Sequence, residues 1–219
     1  MTTGTLDHSW SAASLPGRAH CANIAPMSQA TSLYLCPNDP YSVPDIQGVR
    51  RTLADLDIIA DDLGPGTFSA GEGFSRHVIF AGCSPYLVMR PPQDGSLNFC
   101  HVALHGPYAR PRLVTGPNTV KPRCPACRAR FEDWREHLQA WQTGTEQANC
   151  RHCGHQCSPS GLDWRNHAIS ARVLVELRNV FPGEATPSDQ LMHALKTLTG
   201  EDWRHAWAAL LDTATDKAP

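Results

Sequence analysis

Apolar residues recur every three or four positions in three stretches of the chain, the spacing that places them on one face of a helix. The sets are Ile46, Val49, Leu53 and Leu56; Phe131, Trp134, Leu138 and Trp141; and Leu191, Leu195 and Leu198. The first predicts a helix of about 14 residues, with Pro44 in its first turn and Asp45 at its positive end. The second predicts a helix over 131–142. The third predicts a helix that begins at the capping box of residues 186–189, with Pro187 at its first position, and ends at Gly200.

Short apolar or alternating runs bounded by turn residues predict strands. They lie at 32–36, 77–83, 86–90, 97–105, 112–115 and 172–178. Residues 201–211 form a last element, either a helix or a strand. Because Trp203, Trp207 and Leu210 lie at helical spacing, we predict the helix. The fold class that follows is α+β: an antiparallel β-meander with a packed helix, a small module, and a C-terminal strand-helix-helix section.

Composition narrows the class of protein. The chain has 219 residues, of which 41% are hydrophobic and 18% charged, with a net charge of −2. These values exclude a wholly basic coat protein and a charge-driven disordered chain. No apolar run reaches the length of a transmembrane helix, and the start of the chain lacks the apolar run of a secretory signal. We therefore expect a cytoplasmic protein with no membrane association.

Five of the nine cysteines lie in one window, from Cys124 to Cys157. Their odd total and the missing secretory signal argue against a disulfide framework. Cys124 and Cys127 form one C-x-x-C knuckle, Cys150 and Cys153 form a second, and 22 residues separate the two. Two knuckles face to face supply the tetrahedral set of four thiolates that Zn²⁺ prefers. The spacing therefore predicts a Zn²⁺ site, although iron also binds such a set.

This arrangement resembles the zinc-ribbon and rubredoxin-like group of small metal folds over about residues 119–158. The resemblance implies a structural metal held by the four knuckle cysteines. One departure is the helix expected over 131–142, where ribbons usually place strands. Cys157, His152 and His155 lie beside the second knuckle, where one of them could replace a cysteine, although a supporting or surface role is expected.

The triplet Asp-Trp-Arg occurs at 133–135, 163–165 and 202–204, and a histidine follows the first two at His137 and His167. Each of these two also follows a C-x-x-C. One interpretation is a duplicated knuckle unit in which the Trp packs on the metal site and the Asp or His braces a cysteine ligand. The alternative is helix-start chemistry with a buried Trp that arose independently. Direct metal ligation by His137 or His167 is the less favoured hypothesis.

These features predict four segments. Residues 1–29 are expected to be a disordered tail or a mis-assigned start, with Met27 as the alternative first residue. Residues 30–118 form the α+β meander domain and residues 119–170 the zinc-binding module. Residues 171–219 form a C-terminal α/β section that packs on the rest.

A closed four-cysteine site leaves no position for a reactive water, so it is expected to fold a segment rather than to catalyse. No nucleotide-binding, zinc-protease, deaminase or hydrolase motif is present, and we assign no catalytic residue. The favoured hypothesis is a non-enzymatic binding or regulatory protein whose zinc module presents an interaction surface to another protein.

A second hypothesis is nucleic-acid binding. Residues 105–158 carry eight Lys or Arg against four Asp or Glu, and Arg123, Arg128 and Arg130 flank the first knuckle,. A third and weaker hypothesis is a nuclease of the metal-finger kind. Against it, Asn166 and His167 lie outside the two knuckles. Cys100 beside His101 is expected to be a buried apolar residue rather than a nucleophile, since neighbouring strand residues point to opposite faces.

Overall fold

The computed structural model describes residues 1, 31–81, 87–117, 119–180 and 185–209. The strands are β1 (Thr31–Pro37), β2 (Ile59–Gly64), β3 (Thr67–Ala70), β4 (Val78–Phe80), β5 (His101–His105), β6 (Arg112–Val114), β7 (Ala148–Asn149), β8 (Gln156–Cys157), β9 (Ile169–Ala171), β10 (Leu174–Arg178), β11 (Ala185–Pro187) and β12 (Trp203–Ala209). The helices are α1 (Ile46–Asp55), α2 (Phe74–His77), α3 (Trp134–Thr143) and α4 (Asp189–Thr199), with a 3-10 turn at Pro159–Gly161. This content confirms the predicted α+β class.

Six strands form one antiparallel sheet in the order β12-β1-β10-β5-β3-β2. Strand β1 lies between β10 and β12, which come from the last part of the described chain. The sheet therefore takes strands from both the 30–118 and the 171–219 segments, while the predicted domain boundaries themselves stay a prediction. The predicted tail of residues 1–29 lies outside the described residues, apart from Met1.

Both faces of this sheet are covered. Helices α1 and α4 pack Val49, Leu53, Leu191 and Leu195 against one face, together with Leu33, Leu35, Val102, Val175 and Leu177 of the strands. On the other face, the pair β6–β9 packs Val114, Ile169 and Ala171 against Tyr34, Leu174 and two alanines of β12. Leu113 of β6 instead joins a separate core that contains two of the knuckle cysteines. The pair β6–β9 thus connects the sheet to the cysteine-rich module.

Three of the four predicted helices are present, with shifted ends. Helix α1 has 10 residues rather than about 14, and the Asp45 side chain caps it by accepting from the backbone N–H groups of Gln47 and Gly48,. The helix predicted over 131–142 begins at Trp134. The capping box at 186–189 is wrong, because Ser188 caps α4 by accepting from the Leu191 N–H at 3.2 Å. Thr186 and Pro187 instead pair with β4.

Several predicted strands also differ. Of the predicted strand at 77–83, the described residues 77–81 contain the strand Val78–Phe80. Of the predicted strand at 86–90, the described residues 87–90 are not a strand. Residues 97–100 precede β5 without joining it. Strands β2 and β3 were not predicted, because Gly64 to Gly66 resembles a helix end but is the turn of a hairpin.

The last described element is a strand, not the second helix of the predicted strand-helix-helix section. Trp203 and Trp207 are four residues apart, a spacing that fits one face of either a strand or a helix. Ala206 and Ala208 pack on the opposite face against β6 and β9, so the period is two. Within the described parts of the chain, no helix is long and apolar enough to cross a membrane.

Candidate metal centre

The two C-x-x-C knuckles have the same backbone conformation. The residue after each second cysteine adopts a left-handed conformation, Arg128 with φ 65° and Gly154 with φ 73°. Its N–H donates to the carbonyl of the first cysteine, at 3.0 Å for Cys124 and 2.8 Å for Cys150. In both knuckles the N–H of the first cysteine also donates to the carbonyl five residues later, at 2.9 Å. Each knuckle is thereby folded so that its two thiols lie on one side.

A short antiparallel pair supports each knuckle. Arg123 bridges Arg130 around the first, and β7 pairs with β8 around the second. The stretch between the knuckles contains α3, in agreement with the predicted departure from an all-strand ribbon.

The four predicted cysteines come together. Their Sγ atoms all lie within 4.8 Å of one another. The Sγ atoms of Cys124 and Cys153 are 3.8 Å apart, and those of Cys127 and Cys150 are 3.6 Å apart. A tetrahedron with metal–sulfur bonds of about 2.3 Å has sulfur–sulfur edges of about 3.8 Å, whereas a disulfide requires about 2.05 Å. The cluster could therefore hold one metal ion, and its sulfur atoms are too far apart for disulfides.

The protein environment favours the thiolate form of one ligand. The Cys153 backbone N–H is the main cause that lowers the pKa of the Cys150 thiol to about 6, and it outweighs the opposing effect of burial. A metal binds the thiolate, so this lowered pKa favours deprotonation of Cys150 itself. The hydrogen bond from the His155 backbone N–H acts to lower the pKa of Cys153, but the neighbouring thiols and burial outweigh it and raise that pKa. Cys124 and Cys150 are buried, while Cys153 is exposed at the tip of its knuckle.

Aromatic side chains form the core on which the cysteines rest. The rings of Trp134 and Trp164 meet edge to face with centroids 5.5 Å apart, and Trp141 meets Trp164 in the same way at 6.3 Å. Cys124 and Cys150 pack in the same cluster. The first two Asp-Trp-Arg triplets therefore both place their Trp in the core beside the cysteine cluster, which the duplication hypothesis and its alternative both predict. Trp203 of the third triplet belongs to the sheet core.

The aspartates of these two triplets pair with arginines across the module. Asp133, which follows the first knuckle, accepts from Arg151 of the second knuckle at 2.6 Å. Asp163, which follows the second knuckle, accepts from Arg128 of the first at 2.9 Å. In each pair the aspartate holds an arginine that is the sequence neighbour of a knuckle cysteine, rather than the cysteine itself. The two pairs therefore attach each knuckle to the opposite half of the module.

The other predicted ligand candidates lie outside the cluster. His137 stacks on Trp141 and hydrogen-bonds to Glu146 at 2.8 Å and to Asp133 at 3.1 Å. These carboxylates, Glu146 first, raise the pKa of His137. His152, His155 and His167 are exposed, and Cys157 is half-buried on β8. Among the described residues, the grouping with metal-ligand geometry contains the four knuckle cysteines alone.

The three arginines that suggested nucleic-acid binding have different surroundings. The guanidinium of Arg128 forms an ion pair with the Asp163 carboxylate. Arg123 is half-buried and exchanges backbone hydrogen bonds with Asp163, both of 3.0 Å. Arg130 is exposed beside the second knuckle, where it lines a small cavity with Arg151 and His152. The basic residues thus surround the cysteine cluster, and one of the three has its charge paired.

A second buried polar centre, which sequence analysis missed, lies within the large sheet. Glu176 is fully buried, and its carboxylate accepts from Tyr34 Oη at 2.7 Å, His105 Nε2 at 2.7 Å and Arg178 Nη2 at 2.8 Å. Burial acts to raise its pKa, but the hydrogen bonds from His105 and Arg178 prevail and lower it to about 2. Glu176 is therefore a buried, ionised carboxylate. Its three partners come from three adjacent strands.

Cys100 does not pair with His101. Its thiol lies near the Asn179 carbonyl at 3.3 Å, and burial raises its pKa to about 12. His101 Nδ1 lies 2.7 Å from the Phe99 carbonyl. Cys100 therefore stays protonated, in agreement with the expected apolar role.

No known protein family, curated protein or solved structure matches this chain.

Proposed function

We propose that this chain is a non-enzymatic binding or regulatory protein in which Zn²⁺, held by Cys124, Cys127, Cys150 and Cys153, folds a zinc-ribbon-like module and presents a surface to another protein. The observation that carries the proposal is the closed set of four thiols with tetrahedral spacing. Four protein ligands complete the coordination of Zn²⁺, which suits a structural role. Soft thiolates with this geometry favour zinc, with iron as the competing metal.

The tips of the knuckles are the part of the module that would meet a partner. Pro125 and Ala126 are exposed at the first tip, and His152 and His155 are exposed at the second. The metal fixes both tips without burying them, so the surface would be rigid before it binds, which reduces the entropy lost on association.

The charge of the metal centre itself favours a protein partner over a nucleic acid. Four thiolates and one Zn²⁺ carry a formal charge of about −2. Residues 105–158 carry a net charge of +4, from eight Lys or Arg and four Asp or Glu. The charge of the metal centre lowers this net charge to about +2. The arginines around the knuckles therefore balance the thiolates to a large extent.

The test combines metal analysis with a matched pair of variants. Metal content is measured by native mass spectrometry and elemental analysis on the full chain purified from its own host. One zinc is expected per chain in the wild type and in Cys157→Ser, and none in Cys124→Ser. A wild-type protein without zinc, or zinc binding that survives in Cys124→Ser, would refute the metal assignment.

The same spectra test the partner. A co-purifying protein that stays with Cys157→Ser and is lost from Cys124→Ser supports the proposed surface. Equal retention by both variants places the interaction outside the module and contradicts that part of the proposal.

Nucleic-acid binding is the second candidate, and the exposed Arg130 near Arg151 and His152 is the observation that favours it. The test is the affinity for a mixed-sequence duplex and single strand at increasing salt. If the chain contacts phosphates, its affinity falls steeply as the salt concentration rises. Arg130→Gln should then lower the slope of log affinity against log salt by about one, because one phosphate contact is lost. Undetectable or salt-independent binding removes this candidate.

A further inference from the structure

A cavity of about 290 Å³ lies where the module meets the sheet part of the molecule. Leu113 and Trp141 of the module core form one side, and Ser170 of β9 lies on the sheet side. Polar or aromatic side chains complete the lining, chiefly Tyr41, Arg110, Gln147, Ser158 and Ser160. The cavity is near the lower size limit of sites that hold small molecules.

The cavity contains a cation that no carboxylate neutralises. Arg110 is exposed, and within the described ranges it forms no ion pair. The one acidic residue in the lining, Glu146, is engaged by His137 at 2.8 Å. The Arg110 guanidinium lies beside Gly144, which ends α3, since a Cβ built on that glycine would be 3.5 Å from Nη1. The end of α3 thus lies next to this charge at the cavity.

Further hydrogen-bonding groups and flat apolar walls surround this charge. The hydroxyls of Ser158 and Ser160 are 2.7 Å apart and face the same space. The Trp141 indole is 4% exposed, and its Nε1–H has no acceptor in the part of the chain that the structure describes. Tyr41 and two prolines, Pro111 and Pro159, add apolar surface.

We propose that this cavity binds a small molecule in which an anionic group, a carboxylate or a phosphate, is attached to a flat apolar body. The planar guanidinium of Arg110 matches either anion through paired hydrogen bonds. The Ser158–Ser160 pair supplies one further donor, since one of its two hydroxyls donates to the other,. The Trp141 and Tyr41 rings contact the apolar body. The proposal rests on the cavity alone and does not depend on which metal the cysteines bind.

Occupancy of the cavity is coupled to the metal module. Trp141 packs in the same core as Cys124 and Cys150. A ligand that binds only the folded module shifts its unfolding equilibrium toward the folded state. Ligand binding therefore raises the midpoint temperature of module unfolding.

The test follows the Trp141 indole N–H signal in nitrogen–proton correlation spectra of the full chain, assigned by its loss in Trp141→Phe. The probes are benzoate, phenyl phosphate and, as a neutral control, benzyl alcohol. Saturable shifts are expected with at least one of the two anions and not with the alcohol. Preference for benzoate identifies a carboxylate site, and preference for phenyl phosphate identifies a phosphate site.

Two arginine variants separate a specific site from general attraction of anions. Arg110→Gln is expected to weaken binding roughly 10- to 100-fold, because it removes a charge-assisted hydrogen bond. Arg135→Gln is the matched control, since Arg135 is exposed on α3 and lies outside the cavity lining. It should leave the affinity unchanged. No saturable shift with either anion, equal binding by Arg110→Gln, or equal binding of benzyl alcohol overturns the proposal.

Discussion

The six-stranded sheet and the cysteine-rich module both bury polar groups, but they compensate for burial in different ways. In the sheet, the Glu176 carboxylate is surrounded by donors from three neighbouring strands, and two apolar layers enclose the strands. In the module, Cys124 and Cys150 are buried among aromatic rings, and their close sulfur contacts are with the two other knuckle thiols. The buried Glu176 carboxylate is satisfied by side chains of the sheet, whereas the four thiols of the module could be completed by a metal ion.

This difference predicts where stability resides. The sheet has strands of up to seven residues and a large apolar core. Strands β7 and β8 of the module have two residues each, and such short pairs do not fold independently. We therefore expect the sheet to fold without metal and the module to need it.

The largest effect is expected for Cys124→Ser. Loss of one thiolate should release the metal, and structural zinc contributes on the order of 10–16 kcal/mol to the folding of small modules. Hydrogen exchange should then show loss of amide protection over about residues 119–170, with protection retained in β1, β5 and β10.

The wild type and Cys157→Ser serve as controls for this measurement. Equal loss of protection in the sheet would show that the two regions fold as one unit, and retained protection in the module would show that metal is not what folds it.

The next largest effect is expected for Glu176→Gln. Removal of a fully buried charge takes the anionic partner away from Arg178, and breaking such a buried pair costs roughly 3–5 kcal/mol of unfolding free energy. Urea unfolding of the sheet measures the change. Glu132→Gln is the matched control, because Glu132 pairs with Lys121 on the surface and should change stability by less than about 1 kcal/mol. Metal content should be unaffected in both variants, and a loss of metal in Glu176→Gln would contradict the separation of the two regions.

The ionised state of Glu176 also predicts a pH dependence. Its pKa is lowered from 4.5 to about 2 in the folded protein, so its stabilising effect is complete above the unfolded pKa. That effect is lost as the pH falls from about 4.5 towards 2, by up to about 3 kcal/mol. Unfolding is measured in the Cys124→Ser background, where acid release of metal makes no contribution. Adding Glu176→Gln should flatten this decline, and an unchanged slope would show that other carboxylates cause it.

The cysteine cluster could be predicted from the sequence because its information is local: each knuckle spans four residues, and the chemistry of thiolates fixes what two knuckles can do. Helices α1 and α4 could be predicted for the same reason, since apolar periodicity and a nearby cap define each. The exact cap of α4 was misplaced by two residues, because Thr186 and Ser188 both suit that position.

The Glu176 centre could not be predicted, because two of its three partners are distant in sequence. Alternation in residues 172–178 suggests that Glu176 faces solvent, yet the β6–β9 pair covers that face. Tyr34 and His105 are 142 and 71 residues away from it. Strand β2 was missed because its four central residues, including Asp61 and Asp62, are exposed, so the segment lacks an apolar pattern.

The smallest effects are expected at the reciprocal ion pairs of the module. The side chains of Arg151 and Arg128 are 81% and 61% exposed, so solvent screens both pairs. Asp133→Asn and Asp163→Asn should each lower the unfolding free energy by less than about 1 kcal/mol and weaken metal binding by a similar, modest factor, measured by competition with a chromogenic chelator.

Histidine titration by NMR distinguishes the two substitutions. Asp133→Asn should bring the pKa of His137 down towards its ordinary value, although Glu146, the stronger partner, keeps it raised, while Asp163→Asn should leave it unchanged. Similar losses of metal affinity would mean that each triplet fastens the opposite knuckle to the same extent. A strong loss of metal affinity in one variant with none in the other would show that only one half of the module positions the ligands. The two Asp-Trp-Arg triplets would then not have equivalent energetic roles.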